Sequence, residues 1–188
     1  MLKNSLKKES IQTLIRLAQN GDSKALEELI RRVQKDIYAI FAHLTNTKDD
    51  IADLTQETLL KMAKALPTLY NAKNFKSWLY QISTNVFYDY ARKKNDKILE
   101  YDEKILNEIK DKIGCDPGEK CLFSEIEKLI KAALMTLPQD LRLTLVLREY
   151  EGLSYNDISK ITNTTLGTVK SRISRARIKL QDELREFI

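Results

Sequence analysis

Three clusters of side chains in this chain have the types and spacing for work on a charged polymer. The first lies in residues 166–180, which carry five positive charges and no negative ones. At about 100° per residue, Val169, Ile173, Ala176 and Leu180 fall on one apolar stripe. Ser171, Ser174, Arg175 and Ile178 fall opposite it, with Lys170, Arg172 and Arg177 on the flanks. Short polar side chains let a helix approach base edges, and long cationic ones beside them reach phosphates and guanine acceptors. Gly167 and Thr168 stand at the helix start, where backbone N–H groups attract a phosphate. A basic amphipathic helix can also be a merely solvated face, but the residues ahead of this one argue for DNA. Ser154 caps a short helix, with Asp157 three residues on as in a capping box and Leu153 and Ile158 at the staple positions. Asn163 suits a left-handed helix end, and Thr164 or Thr165 caps the second helix. Two short helices around a tight polar turn are the form that lays its second helix in the major groove.

The second cluster is aromatic. Phe75, Trp78, Tyr80, Phe87, Tyr88 and Tyr90 are six of the chain's fourteen aromatic residues, packed into sixteen positions, and Arg92, Lys93 and Lys94 follow directly. Rings that stack on unpaired bases, beside cations that hold the backbone, make a platform for single-stranded DNA. Stacking contributes about 1–3 kcal/mol per base, comparable to the few kcal/mol needed to extrude one. Trp78, Leu79, Ile82 and Val86 also fit a core stripe, and the core is the expected place for Trp78. The third cluster is acidic: Asp49, Asp53 and Glu57 recur every four residues, with Asp50 and Gln56 beside them. They lie near a helix N-terminus, whose dipole favours them. On composition alone this is a solvated face. Asp49, Asp50, Asp53 and Glu57 could instead hold Mg²⁺ in a nuclease, but no second cluster, His or Lys from another segment joins them.

The elements that position these clusters are helical. Only 5 Gly and 3 Pro stand in 188 residues, too few for a turn-rich β chain. Ile11, Leu14, Ile15 and Ala18 mark a first short helix, ended by Asn20-Gly21. Asp22 caps a long helix to about Leu44, carrying Leu26, Leu29, Ile30, Val33, Ile37 and Ile40 on its apolar face. A third helix runs from about Lys48 to Leu66 and stops at Pro67. Residues 69–73 form a loop, and Asn74 caps a fourth helix to about Lys94. Between Asp96 and Glu119 eight acids and four lysines give net −4, and Gly114, Pro117 and Gly118 stand toward the end of the stretch. That composition reads as a linker over residues 96–121. Helices over residues 126–134 and 141–150 then pack beneath the helix-turn-helix. The expected fold class is all-α: two small helical domains, residues 1–95 and 122–188, joined by a flexible linker, with the helix-turn-helix in the C-terminal one.

The remaining composition excludes several classes of function. Net charge is +5, which suits an anionic partner. Cys115 and Cys121 are too few for a secreted disulfide scaffold and, with no histidine near them, do not fit a zinc motif. Two free thiols are expected. The single histidine, His43, is expected on a helix face beside Ile40 and Leu44 and cannot serve a histidine-based triad. No apolar run approaches the ~20 residues of a membrane span, and the N-terminus lacks an apolar signal core. A cytoplasmic protein that needs no metal or cofactor is expected.

Three stretches carry a family resemblance in the C-terminal block: Thr136-Leu-Pro-Gln-Asp-Leu-Arg142, Leu147-Arg-Glu-Tyr-Glu-Gly-Leu-Ser-Tyr155 and Leu166-Gly-Thr-Val-Lys-Ser-Arg-Ile-Ser-Arg-Ala-Arg177. Three more lie upstream: Gly21-Asp22 to Leu29, Asp50-Ile-Ala-Asp-Leu-Thr-Gln-Glu57 and Phe75-Lys-Ser-Trp-Leu-Tyr-Gln-Ile-Ser-Thr-Asn-Val-Phe-Tyr-Asp-Tyr-Ala-Arg92. In this order they closely resemble sigma-70 family factors, nearest the extracytoplasmic-function (ECF) group. The sequence departs from the family pattern at Thr165, where proline is common, at Ser174, where aliphatic or aromatic residues are common, and near Asn163, where glycine is common.

The resemblance implies a non-enzymatic initiation factor whose partners are core RNA polymerase, promoter DNA and an anti-sigma factor, with no membrane insertion. It implies that Asp53, Gln56 and Glu57 dock on a basic coiled coil of the polymerase clamp. It points to the loop with Tyr70, Asn71 and Lys73 as the pocket for a flipped non-template base. Asn85, Asp89 and Arg92 would read or position the −10 element. Thr168, Lys170, Ser171, Arg172, Ser174, Arg175 and Arg177 would read the −35 element as duplex, and the linker would thread toward the RNA exit channel. The rival reading is a stand-alone helix-turn-helix regulator that binds duplex DNA as a dimer.

Overall fold

The computed structural model describes residues 6–95 and 119–185, with side chains over residues 6–94 and 126–185. Among the described residues there is no β-strand. The helices are α1 (Ile11–Gln19), α2 (Ser23–Leu44), α3 (Lys48–Ala65), α4 (Phe75–Asn95), α5 (Glu119–Thr136), α6 (Gln139–Glu149), α7 (Tyr155–Ile161) and α8 (Leu166–Leu184). The chain divides into two compact units, Met1–Tyr90 and Ala91–Ile188. The stretch expected as a linker lies outside the described residues except at its end, where Glu119, Lys120 and Cys121 already belong to α5. Cys115 and the side chain of Cys121 lie outside them as well.

In the first unit the starts of α1, α2 and α3 each have a side-chain acceptor for their orphan N–H groups. Ser10 Oγ accepts from Thr13 N–H at 3.1 Å, and Asp22 Oδ1 from Lys24 and Ala25 N–H at 2.9 and 3.1 Å. Thr47 Oγ1 accepts from Asp50 N–H at 3.3 Å. Gly21, at φ 90, turns the chain from α1 into α2. Helix α1 packs on α2, and α2 on α3. Leu14, Ile15, Leu29, Ile37, Ile40, Phe41, Leu44 and Met62 are buried between them. His43 is half-buried in the last turn of α2.

Helix α3 ends one residue before Leu66, and Leu66–Thr68 tightens into a 3₁₀ turn around Pro67. A second 3₁₀ turn, Ala72–Asn74, leads into α4. Asn74, expected to cap α4, lies inside this turn. The turn itself is capped by Asn71, whose Oδ1 accepts from Lys73 N–H at 2.9 Å.

In the second unit α8 packs across α6, α7 and α5. Leu134, Leu137, Leu141, Leu145 and Ala176 form its core, with Ile130 and Leu180 packed at the edge. Arg142 gathers the end of α5: its guanidinium donates to the carbonyls of Met135 and Leu137 at 3.2 and 3.0 Å. Such terminal carbonyls have no acceptor role within the helix.

Candidate nucleic-acid and polymerase interfaces

The helix-turn-helix is built from short-range hydrogen bonds. Ser154 Oγ accepts from Asp157 N–H at 3.1 Å and donates to the Asp157 carboxylate at 2.6 Å. Arg148 fixes the approach to this cap, donating to Leu153 O at 2.8 Å and lying over the Tyr155 ring. Asn163 adopts φ 50, as its place after the helix requires. Ser159 Oγ donates to Thr164 O at 2.5 Å across the turn. Thr165, rather than Thr164, caps α8, accepting from Thr168 N–H at 3.1 Å.

The face of α8 divides as its spacing requires. Val169, Ile173 and Ala176 are buried, and Leu180 is partly buried. Lys170, Ser171, Ser174 and Arg175 are exposed together, and Thr168 is half-buried at the first turn. Ser171 Oγ donates to Thr168 O at 2.9 Å, and Arg175 lies back along the helix, donating to Ser171 O at 3.3 Å. Two of the expected DNA contacts are engaged elsewhere. Arg172 donates to Asp140 Oδ2 at 2.5 Å and its side chain is only 15% exposed. Arg177, more exposed, donates to Glu149 Oε1 at 2.6 Å. Both acids stand on α6, so these two arginines hold the recognition helix to its support. Geometry carries a signal of this. Arg172 and Arg177 lie only about 60–70° from the centre of the apolar stripe, nearer the core than Lys170 or Arg175.

In the first unit, Asp53, Gln56 and Glu57 are exposed on one face of α3, and Leu60, 55% exposed, continues it. Asp49 is also exposed. Asp50 turns away: its carboxylate accepts from the Tyr90 hydroxyl at 2.6 Å. Lys61 pairs with Glu57 at 2.9 Å and reaches Asp89 at 3.6 Å. Its ammonium pKa is raised, chiefly by the hydrogen bond to Glu57 and against the effect of burial. The acid face of α3 and the Asp89 position of α4 therefore share one cation. The i,i+4 spacing of Glu57 and Lys61 was visible in the sequence; Asp89, on another helix, was not. Among the described residues no group of three His, Cys, Asp or Glu side chains lies close enough to hold a metal ion.

The aromatic cluster splits. Phe75, Tyr80 and Phe87 are buried, and Trp78, Tyr88 and Tyr90 are half-buried. Three of the six rings therefore build the core of the unit, and Trp78, expected there, lies at its edge, tilted against Phe75 with centroids 6.0 Å apart. Tyr70 is different. Its side chain is fully exposed (103%), beside exposed Asn71 and Lys73. Asn85 and Arg92 are exposed along α4, and Asp89 is half-buried.

Residues 29–97 match the family model for sigma-70 region 2, and residues 127–180 match the model for sigma-70 region 4. The chain is 32% identical over 183 residues to the ECF RNA polymerase sigma-E factor of Haemophilus influenzae, covering 94% of this chain and 96% of that protein. It is 31% identical over 191 residues to the RNA polymerase sigma-H factor of Pseudomonas aeruginosa, covering 97% and 98%. Among solved structures it is similar to the Bartonella quintana sigma factor RpoE, crystallised with the anti-sigma factor NepR. That match has TM-score 0.64 and 29% identity, over 86% of this chain and 98% of that one. The fold is also shared with CnrH, solved with the cytosolic domain of CnrY, at TM-score 0.67 and 20% identity over 95% and 99% of the two chains. No helix among the described residues is long and apolar enough to cross a membrane. With both conserved regions matched in order, and relatives aligned nearly end to end, the chain belongs to the ECF group of the sigma-70 family of RNA polymerase sigma factors.

Proposed function

We propose that this protein binds core RNA polymerase and directs it to start transcription at a specific set of promoters. The observation that carries the reading is the union in one chain of two modules: one with an exposed acidic face on α3 and a solvent-standing Tyr70, and a helix-turn-helix with Lys170, Ser171, Ser174 and Arg175 presented together. Residues 1–95 form the polymerase-docking and strand-capturing domain, and residues 122–188 the duplex-reading domain. Asp53, Gln56 and Glu57 meet a basic surface of the polymerase, where opposite charge orients the partner and speeds encounter. Tyr70, Asn71 and Lys73 receive a base flipped from the melted −10 strand, with Asn85, Asp89 and Arg92 beside it. An aromatic ring that packs against nothing in its own protein is suited to stacking on such a base.

Thr168, Lys170, Ser171, Ser174 and Arg175 contact the −35 duplex, while Arg172 and Arg177 act through the helix they hold. The protein performs no covalent chemistry; the polymerase does. It works in the cytoplasm, where the template is. The Bartonella quintana sigma factor it resembles was solved with an anti-sigma factor, and the same kind of partner is proposed here. In-vitro transcription over a promoter library tests the reading. Purified core enzyme is expected to initiate at discrete new sites only when the protein is present. Identical start sites with and without it defeat the proposal.

A further inference from the structure

Gln19 is the last residue of α1. Its side-chain amide crosses to the loop that presents Tyr70. Nε2 donates to Leu66 O and to Leu69 O, each at 2.9 Å. Both hydrogens of one amide group are thereby used, on two carbonyls 47 and 50 residues away in sequence. Leu66 O also accepts from Leu69 N–H at 3.1 Å, which closes the 3₁₀ turn. The side chains of Leu66 and Leu69 are buried at 2% and 9% exposure. On the far side of the loop, Asn71 takes Lys73 N–H through its side chain and Asn74 N–H through its carbonyl. The backbone is held on both sides of Tyr70, while the Tyr70 side chain stands fully in solvent.

From this arrangement we propose that Gln19 is a positioning residue for strand capture, setting the loop of Tyr70 so that its ring meets an extruded base without first being ordered. The inference rests on the strand-capture reading above. A loop fixed before binding loses less conformational freedom on binding, and so binds more tightly and discriminates better. Only a donor serves at this position, because both partners are carbonyl oxygens. Gln19→Met keeps the length and removes both donors. Gln19→Glu, when ionised, sets an acceptor-only group against two acceptors.

Two measurements test it on the full-length chain. The first is amide hydrogen exchange. In Gln19→Met and Gln19→Glu, exchange is expected to accelerate at residues 69–73 while the cores of both units keep wild-type protection. Unchanged exchange in the loop, or loss of protection throughout the first unit, overturns the assignment. The second uses holoenzyme assembled with core polymerase and a fluorescent single strand carrying the −10 segment of a promoter found by transcription. Affinity is expected to fall about tenfold, the scale of two lost hydrogen bonds, with core binding and −35 duplex binding unchanged.

In a Tyr70→Ala background the Gln19 substitutions are expected to add nothing further, because the two residues act as one unit. Additive losses overturn the proposal. Failure of wild-type holoenzyme to bind the strand at all defeats the strand-capture reading instead, and the exchange measurement then still decides whether Gln19 sets the loop.

Discussion

Four of the five arginines and lysines on α8 divide into two settings. Lys170 and Arg175 are exposed, whereas Arg172 and Arg177 are paired to Asp140 and Glu149 on α6. The division predicts opposite phenotypes. Lys170→Ala with Arg175→Ala should leave thermal unfolding unchanged and weaken −35 duplex binding. Each lost phosphate contact should flatten the slope of log K against log salt by ~0.9. Fluorescence anisotropy across a salt series reads this, and an unchanged slope rejects the assigned face. Arg172→Ala should instead destabilise the second unit. With one partner 15% and the other 48% exposed, the loss should fall between the ~0–1 kcal/mol of a surface pair and the ~3–5 kcal/mol of a broken buried one. Urea unfolding is the check, and wild-type stability in this variant would return Arg172 to the DNA.

At the scale of elements, the turns and the helix ties decide how the faces are aimed. Asn163 joins α7 to α8 at φ 50. A β-branched residue there meets the left-handed penalty of roughly 1–2 kcal/mol, so Asn163→Val should lower stability by about that amount and Asn163→Gly should be tolerated. Equal stability of the two variants in thermal melts would show that the turn does not need this conformation.

In the first unit, Glu28 on α2 accepts from Arg31 and Arg32 at 2.6–2.9 Å. Arg32 in turn donates to the carbonyls of Leu6, Lys7 and Glu9 ahead of α1. The hydrogen bonds from Arg31, then Arg32, hold the Glu28 carboxyl down from its ordinary 4.5 to about 2, against the opposing effect of burial. A carboxyl depressed in the folded state contributes stability that is complete above its unfolded value. That contribution is lost as pH falls from about 4.5 toward 2. Glu28→Gln should therefore flatten the fall of stability across that window. An acid-unfolding curve parallel to wild type would remove Glu28 as the linked group.

At the scale of the whole molecule, the proposed function has one chain address both a protein machine and two states of DNA. Asp53→Arg separates the functions. The substituted residue is exposed on α3, so folding should survive. A like charge against a basic partner costs several kcal/mol, so co-purification with core polymerase should fall at least about tenfold while isolated −35 binding holds. Retained co-purification would move the docking face elsewhere.

Much of the fold was legible beforehand for local reasons. Helix periodicity located α1 to α4 and α6 to α8, and Asp22, Ser154 and Asn163 serve where their short-range chemistry said they would. Two boundaries differ. A 3₁₀ turn capped by Asn71 stands before α4, and α5 runs over Glu119–Thr136 rather than residues 126–134.

By itself the sequence determined the helices, the caps, the turn of the helix-turn-helix and the family, because each depends on residues within a few positions of one another or on ordered motifs. Only the tertiary structure decided which polar side chains are at liberty to meet a partner. Arg172 is drawn to Asp140, Asp50 to Tyr90, Asp89 to Lys61, and Gln19 to the carbonyls beneath Tyr70. Each of those pairings joins different elements, and a helix's own periodicity gives the direction of a side chain but not what waits for it there.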